Sequence, residues 1–192
     1  MPYKRWTTVD TGAISFGYGV AVSALQMVTA ASAIANDGVL MKPYFVQAIT
    51  DQNHEPLKQF QPQKVRRVIS IQTARTVRAI MKTVTNEGGT GVNAALDGYT
   101  VCGKTGTARK LDENGIYSKS KYMASFIGFT PAEKPRLAIV VVIDEPQGAY
   151  YGGTVAAPVF RRVARETLHY LNIPPESGAK QFATSRRIEA RG

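Results

Sequence analysis

One unbroken apolar run constrains the fold more than any other feature of this chain. It lies in residues 136–143 and reads Leu-Ala-Ile-Val-Val-Val-Ile, which predicts a central strand covered on both faces. Two more strands are predicted over residues 99–105 and 122–129. The connections between these strands are short, whereas parallel neighbours would need crossovers of a dozen residues or more. We therefore predict an antiparallel sheet with three main strands.

Three segments with helical spacing of apolar residues accompany the strands. The first begins after the N-cap candidate Ser23, ends at residues 36–38 (Asn-Asp-Gly) and is predicted to be a buried helix. The other two cover residues 71–85 and 155–171, each with one apolar face. Weaker signals predict an extended start and tight loop over residues 7–22, a strand over 44–49, a turn at 51–54 that leads into a hairpin strand, and irregular structure over 56–68.

Length and composition fit one domain. The chain has 192 residues, of which 44% are hydrophobic and 20% charged, which is ordinary for a globular protein. Helices mixed with an antiparallel sheet predict an α+β domain over residues 1–176, and residues 177–192 are predicted to be a basic disordered tail. No apolar run is long enough to cross a bilayer, and no signal peptide is evident at the N-terminus.

The charge and the few cysteines and histidines exclude several kinds of site. The net charge of +10 comes from scattered basic clusters without a nucleic-acid-binding motif, so we expect no nucleic-acid partner. The single cysteine, Cys102, allows no internal disulfide and is predicted to be a buried small hydrophobe. The two histidines lie far apart in the sequence, so we expect no metal and no cofactor.

Residues 104–107, Lys-Thr-Gly-Thr, are the candidate binding segment. Lys104 offers a positive charge, Thr105 and Thr107 offer hydroxyl donors, and Gly106 lets a ligand backbone approach closely. This set of groups suits a carboxylate. The same lysine also completes the P-loop pattern Gly98-x4-Gly103-Lys104-Thr105. A P-loop would need a buried strand before Gly98 and a helix starting at Lys104, and the sequence predicts neither.

A glycine cluster at residues 87–91, Glu-Gly-Gly-Thr-Gly, follows the second helix. Two interpretations are open: the backbone N–H groups of the cluster could cradle an anion, or the cluster is a helix stop or mobile connection. The composition favours the second.

Several blocks of the chain, in the same order, resemble the C-terminal part of a class B penicillin-binding protein, a peptidoglycan D,D-transpeptidase of the division or elongation type. Apart from Lys-Thr-Gly-Thr-Ala at 104–108, these blocks are residues 14–26, 36–39, 150–153 and 157–160. The resemblance implies an enzyme that acylates a serine with the penultimate D-Ala of a stem peptide. It then passes the acyl group to the amine of another stem, and β-lactams mimic the D-Ala-D-Ala end.

The resemblance also implies roles for single residues. Lys104 would set the electrostatics around the catalytic serine groups, while the Thr105 and Thr107 hydroxyls would bind the carboxylate. The Thr107 backbone N–H would be one of two oxyanion-hole donors. Tyr150 and Tyr151 either form part of an aromatic wall near the site or only pack a glycine-rich loop.

The other two family motifs, Ser-x-x-Lys and Ser-x-Asn, lie upstream of the region that resembles residues 14–26. No Ser-x-Asn occurs in the chain, and the Ser-x-x-Lys at 118–121 is predicted to be a solvated loop. We therefore expect the nucleophilic serine to lie outside this chain, which alone would form no acyl-enzyme. The alternative is a non-catalytic remnant or accessory of the same fold.

For the intact family protein the resemblance implies further partners and a location. It implies stem peptides and β-lactams as ligands, and glycosyltransferase and divisome or elongasome proteins as partners. It implies the periplasmic or extracytoplasmic face of the cytoplasmic membrane, with a membrane anchor that this chain does not contain.

Overall fold

The computed structural model describes residues 5–15, 17 and 19–176. Its helices are α1 (Thr8–Ser15), α2 (Ala24–Ala35), α3 (Ile71–Lys82), α4 (Gly152–Val155) and α5 (Ala157–Tyr170). Its strands are β1 (Val39–Lys42), β2 (Ala48–Thr50), β3 (Pro56–Gln59), β4 (Gln63–Arg67), β5 (Cys102–Leu111), β6 (Tyr117–Thr130) and β7 (Leu137–Asp144). The predicted tail, residues 177–192, lies outside the described residues, so the domain boundary at 176 stays a prediction.

The three long strands form one antiparallel sheet in the order β5-β6-β7. The predicted α+β fold with a three-stranded antiparallel sheet is confirmed. The β5–β6 hairpin is longer than predicted, because most of the charged residues 109–121 belong to its strands. Only a tight turn remains, in which the Asp112 carboxylate accepts hydrogen bonds from the backbone N–H groups of Asn114 and Ile116 at 2.9 and 2.8 Å.

The strand predicted to be central, β7, is instead at one edge of this sheet, and β6 is central. The physical reason is that β7 has helices on both faces: α5 packs against one face and α2 against the other. An edge strand with a helix on each face is apolar at every position, so its sequence looks like that of a central strand.

Two apolar clusters lie on the opposite faces of the sheet. On one face Phe126 packs against Phe160 of α5, with ring centroids 4.7 Å apart. On the other face Phe129 and Cys102 pack with Ala31 of α2. The strand alternation that sends Phe126 and Phe129 to opposite faces therefore also determines where each β5 side chain points.

Fewer residues of helices α2 and α5 are buried than predicted. In α2, which begins with the predicted Ser23 N-cap and a capping box to Gln26, only Ala31 and Ala33 are buried, and Leu25 is 41% exposed. In α5, which was predicted to have one apolar face, the apolar residues Val159 and Val163 are exposed. The buried positions are instead Ala157, Phe160, Ala164 and Leu168. Each of these two helices therefore buries only a narrow stripe of side chains.

The segment between α2 and α3 contains more strand than predicted. The residues expected to be irregular, 56–68, contain β3 and β4, and the predicted strand 44–49 begins only at Ala48. β4 pairs with β1, which was not predicted, and β3 pairs with β2 in the predicted hairpin. These short exposed strands carry little hydrophobic alternation, so their pairing cannot be inferred from periodicity.

The N-terminal segment was predicted to be extended, which is wrong. Helix α1 forms there because Thr7 and Asp10 make a reciprocal cap: the Thr7 backbone N–H donates to the Asp10 carboxylate at 2.8 Å, and the Asp10 N–H donates to the Thr7 hydroxyl at 3.1 Å. Hydrogen bonds from Thr7 lower the pKa of Asp10. Within the described residues no helix has the length and hydropathy of a membrane span.

Candidate functional site

The candidate binding segment lies inside β5, the other edge strand of the sheet. Because side chains alternate along a strand, Lys104 and Gly106 lie on one face and Thr105 and Thr107 on the other. Thr105 is paired with Phe126, so the two threonines lie on the α4–α5 face of the sheet. Among the described residues β5 pairs with β6 alone, which leaves the backbone groups of its outer edge open.

The Thr107 hydroxyl is held by the first residue of α4. The backbone N–H of Gly152 donates to Thr107 Oγ1 at 3.1 Å. A Cβ on Gly152 would lie 2.2 Å from the Ser125 carbonyl oxygen and 2.4 Å from that of Gly106, so only glycine lets α4 approach both strands. Because Thr107 Oγ1 accepts this bond, its own hydrogen remains available to a ligand.

The Thr105 hydroxyl is also held, by a residue that the sequence did not single out. Thr105 Oγ1 donates to Thr90 Oγ1 at 3.0 Å. Thr90 belongs to the glycine cluster at 87–91. A contact between two hydroxyls fifteen residues apart leaves no pattern in the sequence, so no sequence signal could have found it.

The glycine cluster forms a tight turn after α3. The Gly89 N–H donates to the Asn86 carbonyl at 2.8 Å, and the Gly91 N–H donates to the Val84 carbonyl at 3.0 Å. The two N–H groups are therefore occupied. Of the two interpretations left open by the sequence, the helix stop is the one that the structure supports.

Lys104 carries the charge of the segment. Its side chain is exposed, its ammonium donates to the Thr105 carbonyl at 3.2 Å, and it makes no ion pair with a described residue. An ammonium without an ion pair, on the same short strand segment as two hydroxyls, suits a carboxylate ligand. The P-loop interpretation is wrong, because Lys104 and Thr105 lie in the middle of β5 where a P-loop would begin a helix.

Three tyrosines form a stack next to the start of α4. Tyr122 of β6 stacks on Tyr150 with centroids 4.1 Å apart and an interplanar angle of 12°. Tyr150 contacts Tyr151 at 4.6 Å between centroids, and hydrogen bonding to Tyr151 raises the pKa of Tyr150. Tyr151 directly precedes Gly152 and is 59% exposed. The structure therefore places Tyr150 and Tyr151 beside the residue that holds Thr107, while their role stays a prediction.

An ion-pair cluster joins the β5–β6 hairpin to the loop that carries the tyrosines. The Lys110 ammonium lies 2.8 Å from Asp144 and 2.7 Å from Glu145, and Lys121 lies 3.7 Å from Glu145. The hydrogen bond from Lys110 lowers the pKa of Glu145, and the two carboxylates raise the pKa of Lys110. These ion pairs therefore tie the β5–β6 hairpin to the end of β7 and to the residue that follows it.

Two other features considered in the sequence, the Ser-x-x-Lys at 118–121 and Cys102, lie outside the Lys104–Thr107 segment. The Ser-x-x-Lys at 118–121 lies in β6, with Ser118 half-buried and the next three residues exposed, so the predicted loop is wrong. The Cys102 thiol is buried, donates to the Arg78 carbonyl at 3.3 Å, and burial raises its pKa to about 12. Its prediction as a buried small hydrophobe is confirmed.

Comparisons with known proteins identify the family of this chain. The family described as "Penicillin binding protein transpeptidase domain" matches residues 1–165. A curated relative, the probable peptidoglycan D,D-transpeptidase PenA of Neisseria flavescens, is 42% identical over 183 residues, which cover 95% of this chain and 43% of the relative. The chain therefore spans less than half the length of that relative.

Two solved structures are similar in fold as well as in sequence. The transpeptidase domain of penicillin-binding protein 3 from Burkholderia pseudomallei is 40% identical with a TM-score of 0.74, over 91% of this chain and 50% of that one. Penicillin-binding protein 3 from Mycobacterium tuberculosis, solved with ampicillin, is 31% identical with a TM-score of 0.80, over 92% and 41%. This chain belongs to the penicillin-binding protein transpeptidase domain family, as the resemblance of its sequence implied.

Proposed function

We propose that this chain is the carboxylate-recognition part of a peptidoglycan D,D-transpeptidase domain. The observation that carries the proposal is the strand edge at Lys104–Thr107, where one unpaired ammonium and two hydroxyls, each held by a neighbour, lie along an open strand. The substrate would be the D-Ala-D-Ala end of a stem peptide, and β-lactams would bind in its place. The ampicillin complex of the mycobacterial relative supports the β-lactam ligand.

Each of the four residues of the segment has a role in this proposal. Lys104 attracts the carboxylate and stabilises the proton transfers around the catalytic serine, and the Thr105 and Thr107 hydroxyls donate to the carboxylate oxygens. Gly106 lets the substrate backbone lie against the strand edge. The Thr107 backbone N–H stabilises the oxyanion that forms when serine attacks the carbonyl, a contact worth about 3–4 kcal/mol of barrier. Tyr150 and Tyr151 form an aromatic wall beside the bound ligand.

The acyl-accepting serine and its base are proposed to come from outside this chain. This follows because the sequence contains no Ser-x-Asn, and because its Ser-x-x-Lys at 118–121 lies in β6 and not at a buried helix start. We also propose that residues 1–176 form the transpeptidase part and that the whole protein acts at an extracytoplasmic location. Its proposed partners are glycosyltransferase, divisome or elongasome proteins. A non-catalytic accessory of the same fold is the second candidate.

A hybrid enzyme tests the proposal. Residues 1–176 replace the matching segment of a D,D-transpeptidase relative, and acylation by a fluorescent penicillin is measured on folded, monomeric protein. We expect the hybrid to be acylated, and expect Lys104→Ala and Thr107→Val to slow acylation about 10-fold or more. Lys119→Ala, an exposed lysine on the β5–β6 hairpin, is the matched control and should change nothing. A folded hybrid that is never acylated would favour the non-catalytic accessory.

A further inference from the structure

The Thr105 hydroxyl has a partner in the ligand-free chain. It donates its hydrogen to Thr90 Oγ1 across 3.0 Å, so it cannot donate to a carboxylate at the same time. When a carboxylate arrives, Thr105 must redirect its hydrogen. Two hydroxyls can reverse the direction of their hydrogen bond without moving a heavy atom, because each is both a donor and an acceptor.

We propose that Thr90 is a positioning residue for the carboxylate site, a role that rests on the proposed function. Its hydroxyl holds the Thr105 side chain in one rotamer before the ligand binds. After binding, Thr90 donates its hydrogen to Thr105 Oγ1 while Thr105 donates to the carboxylate. A hydroxyl that accepts one hydrogen bond is a better donor of another, so the reversed pair strengthens the bond to the ligand.

Thr90 can hold Thr105 because the turn that carries it is packed against β5 and α4. A Cβ on Gly91 would lie 2.7 Å from Phe126 Cε2, and a Cβ on Gly153 would lie 2.0 Å from the Thr90 carbonyl oxygen. Both of those positions also lie within 3.5 Å of Thr105 Cγ2. The glycines at 91 and 153 therefore bring three backbone segments into contact around one threonine.

The two ligand-binding hydroxyls are held by elements that contact each other. Gly152, at the start of α4, donates to Thr107 Oγ1, and the next residue, Gly153, accepts a 2.9 Å hydrogen bond from the Asn93 side chain just after the turn. Thr107 and Thr105 are therefore positioned by one packed unit that lies outside their own strand. The glycine cluster therefore has a role that was not considered from the sequence: its turn holds Thr90 against Thr105.

Two substitutions separate the hydroxyl of Thr90 from its shape. Thr90→Val keeps the branched shape and removes the hydroxyl, whereas Thr90→Ser keeps the hydroxyl and removes the methyl group. In the full 192-residue chain, labelled for NMR, three-bond couplings report the Thr105 χ1 rotamer without any ligand. We expect one rotamer in the wild type and in Thr90→Ser, and rotamer averaging in Thr90→Val.

Titration of the same samples with N-acetyl-D-Ala-D-Ala, and with its C-terminal amide, reports recognition of the carboxylate. We expect Thr90→Val to weaken binding of the acid about 3- to 10-fold, Thr90→Ser to restore it, and neither change to affect binding of the amide. A single Thr105 rotamer in Thr90→Val overturns the proposal, and so does weaker binding of the amide to the same degree as the acid. If the wild type does not bind the dipeptide, the proposed function fails, while the ligand-free couplings still decide whether Thr90 positions Thr105.

Discussion

The contact between α4 and the sheet predicts a large effect for a small substitution, Gly152→Ala. The added methyl group would lie 2.2 Å from the Ser125 carbonyl oxygen and 2.4 Å from the Gly106 carbonyl oxygen. Both atoms belong to the backbone of paired strands, so neither can rotate away. Either the β5–β6 pair or the start of α4 must shift.

The expected loss in the free energy of unfolding can be taken from the usual cost of inserting extra atoms into a well-packed region. Extra methylenes in a well-packed region cost about 1–3 kcal/mol, and two backbone contacts place this substitution in the upper half, about 2–3 kcal/mol. For a domain of this size, 1 kcal/mol changes Tm by about 2–4 °C, so we expect Tm to fall by about 4–12 °C. The shift also moves the Gly152 N–H away from Thr107, so carboxylate binding should weaken as well.

Thermal unfolding followed by circular dichroism measures the effect. The matched control is Gly12→Ala in α1, where an added Cβ would meet no atom within 4 Å and alanine favours the helix. We expect the control to keep or slightly raise Tm. A Gly152→Ala chain with a Tm within about 1 °C of the wild type would refute the packing argument.

Three further predictions concern ionisation and reactivity. Because burial raises the pKa of Cys102 from 9.0 to about 12, only the unfolded thiol ionises between these values. The free energy of unfolding should therefore fall as pH rises through this range, less so in Cys102→Ala, and Ellman's reagent should label the chain at pH 8 only after unfolding. Because Lys110 lowers the pKa of Glu145, the stabilisation from this pair is present at neutral pH and lost as pH falls below 4.5 through the lowered pKa. Amide exchange of residues 117–123 should thus be faster in Glu145→Gln at neutral pH and equal to wild type in acid, with Glu113→Gln as an unaffected control. Incubation of the 192-residue chain with a fluorescent penicillin should leave its intact mass unchanged, and an adduct on any serine would contradict the proposal that the nucleophile lies elsewhere.

The parts of the fold that could be predicted from sequence are those with local physical signals. The N-cap candidate Ser23 correctly set the start of α2, and the apolar or β-branched runs located the three long strands. The cap at Thr7 and Asp10 was an equally local signal that was overlooked because aspartate takes the place of the usual glutamate or glutamine.

The errors in the predicted fold arise where tertiary contacts determine the position or pairing of a strand. The apolar sequence of β7 reflects helices on both of its faces and says nothing about neighbouring strands, so its edge position could not be inferred. The strands β1 and β4 are defined by pairing with each other across more than twenty residues. Neither segment carries enough alternation to predict that pairing.

The candidate site shows the same division. Lys104, Thr105, Gly106 and Thr107 were selected as candidates for their chemistry and adjacency; one strand carries all four, and their roles stay predictions. The groups that hold Thr105 and Thr107, the Thr90 hydroxyl and the Gly152 N–H, come from segments distant in sequence. A glycine-rich turn can be recognised in a sequence, but the atoms that the turn contacts in the fold cannot be predicted from it.

The measurement that tests the central claim most directly is an NMR titration of the isotope-labelled chain with N-acetyl-D-Ala-D-Ala and with its C-terminal amide. The claim predicts that the acid shifts the backbone amide signals of Thr105, Gly106 and Thr107, and that Lys104→Ala abolishes these shifts. It also predicts much smaller shifts with the amide, which lacks the charge that Lys104 recognises. Equal shifts with both ligands, or shifts confined to residues outside β5 and its neighbours at Thr90 and Gly152, would contradict carboxylate recognition by this strand.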